Sequence, residues 1–109
     1  MITVKVYSDN KRITGIEVSG HSGYEEVGKD IVCSSVSTAM ILSINLLEKL
    51  NADIKYVSDE KIPLISLDIL SFDDSNEQIV QTIIVNLVEN LNEVSKNYKK
   101  YLKIYEIRR

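Results

Sequence analysis

A chain of 109 residues with 44% hydrophobic content is of a size to fold as one domain around one core. Its net charge of −3 argues against a nucleic-acid binder held by phosphate contacts, and an acidic surface suits a basic protein or peptide as partner. A single cysteine cannot form an internal disulfide, so nothing points to an oxidising compartment. Along the chain, Ile2, Val4 and Val6 alternate with Thr3, Lys5 and Tyr7, the period of a half-buried strand rather than the apolar block of a signal peptide. Ser8-Asp9-Asn10-Lys11 is turn chemistry, and Thr14, Ile16 and Val18 predict a second strand, closing a hairpin at Gly20.

A glycine-rich stretch from Gly20 to Gly28 follows and reads as a loop of about ten residues, a length often functional in a small domain. Gly20, Gly23 and Gly28 supply its backbone freedom. A helix is predicted from about Ile31 to Asn51, with Asp30 as its N-cap. Between Val36 and Leu50 it is apolar or small nearly all round, so it is expected to be covered on more than one side, by the sheet and by a second layer or subunit. No stretch reaches the roughly 18 consecutive apolar residues of a membrane span, and a soluble cytoplasmic protein is expected.

Ile54, Tyr56 and Val57 open another strand, Asp59-Glu60-Lys61 turns it, and Pro63 to Leu70 forms its partner. Ser75-Asn76-Glu77-Gln78 has the form of a capping box, and the apolar residues from Ile79 to Val94 keep helical spacing. Tyr101 to Ile107 predicts a last strand. The order β-β-α-β-β-α-β describes an α+β fold, a single layered domain over residues 1–109 with a buried central helix.

The only histidine and the only cysteine, His21 and Cys33, lie twelve residues apart around the glycine-rich stretch. At a helix start Cys33 would meet unpaired amides and the positive end of the helix dipole, which favour a thiolate, and the same amides could donate to an oxyanion. His21, at the end of a strand, could take the thiol proton and later protonate a leaving amine. Each residue also has a plain structural reading: Cys33 as a small buried apolar residue, His21 as a strand-end hydrogen-bonder. Asp30 could cap the helix or orient the imidazole, and Ser37, one turn beyond Cys33, could hydrogen-bond near the site or merely pack. Glu25-Glu26 could attract a basic substrate or simply be solvated. For a metal centre one His and one Cys would need Asp30, Glu25 or a second subunit to complete the shell, so neither a metal nor a cofactor is expected.

Gly20-His21-Ser22-Gly23, Gly28-Lys29-Asp30-Ile31-Val32-Cys33 and Val36-Ser37 together closely resemble the signature of the ribosomal-processing cysteine protease family, Prp. Length and element order agree with it along the whole chain, and Ser34-Ser35 is a mild departure. The resemblance implies a cytoplasmic, homodimeric endopeptidase that removes the N-terminal extension of bacterial large-subunit ribosomal protein twenty-seven. It also implies His21 as general base, Cys33 as nucleophile, and Asp30, Gly20 and Ser37 as supporting residues. No membrane or direct nucleic-acid partner is expected. The competing class is a non-catalytic ribosome-assembly factor binding the same protein, and a thiol redox sensor would need a resolving cysteine from another chain.

Overall fold

The structure is a computed structural model that describes residues 1–10, 12–20, 27–59 and 64–109, with backbone only for 27–30. Its elements are β1 (Ile2–Asp9), β2 (Arg12–Ser19), α1 (Val27–Lys49), β3 (Ile54–Asp59), β4 (Leu64–Ile69), α2 (Glu77–Asn97) and β5 (Leu102–Arg108), in the order the sequence pattern predicts. The strands form one sheet in the order β3-β4-β2-β1-β5. Both hairpins are antiparallel, β2 joins them by pairing antiparallel with β4, and β5 returns parallel to β1.

The period-2 alternation of the strands decides which face carries the helices. Ile2, Val4, Val6, Ile16, Val18, Leu67 and Leu102 point to one side, where they are buried against Val32, Val36, Met40, Ile44 and Leu47 of α1 and Val80, Ile84, Leu87 and Leu91 of α2. Helices therefore cover one face of the sheet, and the opposite face carries polar pairs such as Lys5–Glu17 at 3.9 Å. Tyr98 and Tyr101 pack against the core, while Tyr105 is exposed.

By length and composition Ile31–Lys49 could cross a membrane, although its serines, threonine and asparagine interrupt any unbroken apolar run. Its Val32–Leu47 stripe is the centre of the domain core, which accounts for the apolar character without a bilayer. On the other side of α1, Leu42 (63% exposed) and Leu46 (46%) lie bare in the single chain.

Two helix boundaries depart from the sequence pattern. α1 begins at Val27, so Asp30 is its fourth residue rather than its N-cap, and Gly28 stands in its first turn rather than in the loop. Glycine is a poor helix former, and a boundary drawn from propensity stops short of it. At the other end Asn51 (φ 57°) terminates α1 in the left-handed conformation, with the Ala52 amide returning to the Leu47 carbonyl at 3.1 Å.

The capping box before α2 does not form: Asn76 is the N-cap and makes no side-chain capping bond. Asp73 organises this corner instead. Its carboxylate accepts the Ser75 amide at 3.0 Å, and its carbonyl accepts the amides of Asn76 at 2.9 Å and Glu77 at 2.8 Å. The Ser75 amide, and secondarily the Ser75 hydroxyl, hold the Asp73 carboxyl below its ordinary value.

Candidate active site

Cys33 occupies the seventh position of α1 and is half-buried. In a regular helix the amide of residue 33 donates to the carbonyl of residue 29, and the dipole effect fades beyond the first turn. The expectation that Cys33 stands at a helix start, among unpaired amides able to donate to an oxyanion, is therefore corrected: its own amide belongs to the helical ladder. What the fold gives Cys33 instead is a cavity.

That cavity, of about 330 Å³, lies between α1 and the end of the sheet where β1 starts and β2 ends. Val18, Val36, Ile41, Leu64 and Ile65 make most of its wall apolar, and Ile2 forms the start-of-β1 side. Ser37 lines it one turn beyond Cys33, so the i, i+4 spacing puts both on one helix face, as the sequence predicts. Ser58 and Asp59, the last residues of β3, line it from across. The sequence pattern marks those two only as the approach to a turn. Which end of the β3–β4 hairpin meets α1 depends on how the two hairpins pair, and no local signal carries that.

Gly20 also lines this cavity. Its φ of +106° is in the left-handed region, and an added Cβ would run into the Met1 carbonyl oxygen. Only glycine satisfies both conditions, which gives a physical reason for the residue that stands immediately before His21. His21 itself, Gly23 and Glu25-Glu26 lie outside the described residues, as does Pro63, and the side chain of Asp30 is not described. The structure thus brings together Gly20, Cys33 and Ser37 of the expected site. Among the described residues no three His, Cys, Asp or Glu side chains cluster to hold a metal ion.

A second, wider depression of about 850 Å³ lies between the helices, with Ser35, Thr38 and Leu42 of α1 facing Asn86, Glu89 and Glu93 of α2. It contains none of the expected site residues.

The family described as cysteine protease Prp matches residues 1–103 of the chain. The ribosomal processing cysteine protease Prp of Staphylococcus aureus strain Mu50 is 33% identical over 110 residues, covering 91% of this chain and all of the relative. Among solved structures, SMU.848 from Streptococcus mutans superposes with a TM-score of 0.88 at 22% identity, covering 100% of this chain and 96% of that one. The S. aureus ribosomal processing protease Prp in complex with a substrate peptide superposes with a TM-score of 0.83 at 22% identity, covering 97% of this chain and 99% of that one. These two superpositions establish the shared fold.

Proposed function

This chain belongs to the cysteine protease Prp family, and from that premise we propose that it is the endopeptidase that trims the N-terminal extension of ribosomal protein twenty-seven in the cytoplasm. The observation that carries the reading is the cavity shared by Cys33 and Gly20, the chain neighbour of His21. It places the one thiol at a cleft large enough for a substrate side chain, beside the point where the chain leads to the one imidazole. The S. aureus relative, named for ribosomal processing and solved with a substrate peptide, supports the substrate class.

In the proposed mechanism His21 accepts the Cys33 proton and the sulfur attacks the scissile carbonyl. Collapse of the tetrahedral intermediate breaks the peptide bond, and His21 passes the proton to the leaving amine. Water, deprotonated by His21, then hydrolyses the thioester and regenerates the thiol. Ser37 and Asp30 support the site in this reading. The net charge of −3 complements a basic ribosomal substrate. The exposed Leu42 and Leu46 of α1 suit a homodimer that covers them.

Mixing the protein with a peptide spanning the extension junction is expected to release the extension, and Cys33→Ala is expected to reduce release to background while the fold persists. Cleavage by the alanine variant at the wild-type rate would refute the mechanism. Binding of the peptide without any cleavage by the wild-type protein would favour the assembly-factor reading.

A further inference from the structure

The edge of the sheet nearest Cys33 has a backbone pattern of its own. Among the described residues β3 is the outermost strand on that side and pairs only with β4. The register Ile54↔Ile69 through Asp59↔Leu64 continues to Asp53 and Leu70, whose carbonyl and amide are bonded at 2.8 Å. In an antiparallel ladder, directly bonded pairs alternate with unbonded ones. Counting from Asp53–Leu70, residues 55, 57 and 59 turn their N–H and C=O toward β4, and Ile54, Tyr56 and Ser58 turn theirs outward.

None of the hydrogen bonds between described residues uses those outward groups. The strand is exposed from Lys55 to Ser58, so nothing among the described residues covers them. An open edge of this kind is a template for another strand. Its far end is not arbitrary: Ser58 and Asp59 also line the Cys33 cavity, so the edge runs directly into the site.

We propose that the free edge of β3 is the docking rail for substrate backbone, with an extended peptide segment beside the scissile bond adding as a sixth strand against Ile54, Tyr56 and Ser58. The proposal rests on the proteolytic reading above and adds to it the means of holding the chain. Main-chain pairing supplies affinity with little demand on side chains, and the apolar cavity at the end of the rail selects the residue next to the cleaved bond. Continuity between edge and cavity favours a substrate strand over a second copy of the protein, which would occupy the edge without delivering a carbonyl to Cys33.

Tyr56→Pro tests this, because it deletes an outward N–H and leaves the β3–β4 ladder intact; proline is tolerated on an edge strand when its missing N–H faces solvent. Tyr56→Ala is its control, since it removes the side chain, including the 3.5 Å contact of the hydroxyl with Glu48, and keeps the N–H. With the extension-junction peptide, kcat/KM of Tyr56→Pro is expected to fall about tenfold below that of Tyr56→Ala, the effect of one backbone hydrogen bond. Equal values for the two variants would overturn the rail.

A second measurement needs no folded variant. Junction peptides N-methylated one residue at a time are expected to lose cleavage by the wild-type protein at alternate positions, about tenfold each; losses without that alternation would overturn the proposal. A change of oligomeric state on Tyr56→Pro would also overturn it, by giving the edge to a second copy. Wild-type protein that leaves the unmodified peptide uncut would instead refute the proteolytic reading, and the rail with it.

Discussion

The two ends of the sheet are tied in different ways. At the β1–β2 turn, side chains stitch one element to the next. Gln81 of α2 accepts the Ile13 amide at 3.0 Å and donates to the Ile13 carbonyl at 2.8 Å. Pairing between β2 and β4 stops at Gly15, so the glutamine amide takes the place of a neighbouring strand. Arg12 pairs with Glu77 at 2.9 Å and lies over the Phe72 ring. Arg109 reaches Asp68 at 3.0 Å, covers the Tyr7 ring and donates its amide to the Ser8 carbonyl at 2.7 Å. At the opposite end, around Cys33, the described residues form an apolar cavity and an unpaired strand edge. One end is closed by polar contacts and holds the scaffold; the other leaves surface and backbone groups available to a substrate.

Glycine substitutions at the two ends are expected to have the largest effects. Gly20→Ala places a Cβ in the left-handed region and against the Met1 carbonyl, and it displaces the chain that leads to His21. A stability loss of about 2–3 kcal/mol and a fall in cleavage on the order of a hundredfold are expected. At the closed end, Gly15→Ala would put a Cβ 2.6 Å from the Asp68 carboxylate and 3.2 Å from the Leu67 carbonyl. Its expected outcome is a loss of about 1–2 kcal/mol in urea denaturation with kcat/KM retained. Equal damage to activity from both variants would show that the ends are not separable.

Gln81→Leu loosens the closed end. It strands the Ile13 amide and carbonyl in a partly buried setting, and a loss of about 2 kcal/mol is expected, again without effect on cleavage. Arg109→Ala removes a half-exposed ion pair and a ring contact but keeps the backbone bond to Ser8, so only about 1 kcal/mol is expected.

The smallest effect concerns pH. Because Asp73 is held below its ordinary value in the folded state, its contribution is present above the unfolded value and disappears as pH falls through the folded one. Wild type and Asp73→Asn are therefore expected to differ near neutrality and to converge in acid. A difference that persists below the acid range of Asp73 would mean that the aspartate acts by packing rather than by charge.

The sequence was legible where the signal is periodic. Alternation in β1 and β2 and helical spacing in α2 come from the side chains themselves, and the structure follows them closely. It was less legible at helix starts. Capping is a competition between local hydrogen bonds that residue type alone does not decide: α1 starts at Val27, ahead of Asp30, and Asp73 takes the place of the capping box at Ser75. Cys33, Ser37 and Gly20 could be singled out from residue type and spacing. Ser58 and Asp59 could not, because their place opposite Cys33 depends on β2–β4 pairing between segments more than forty residues apart.

By itself, then, the sequence determined the element order, the apolar stripe that makes α1 the core helix, and the family to which the chain belongs, since each is written in residue identity and spacing. Tertiary structure alone decided that Cys33 opens on a cavity rather than at a helix start, and that Gln81 and Arg109 close the far end. It also decided that the outward backbone groups of β3 lead into the site. These depend on sheet order and register, which arise from contacts between distant segments and leave no mark in any one of them.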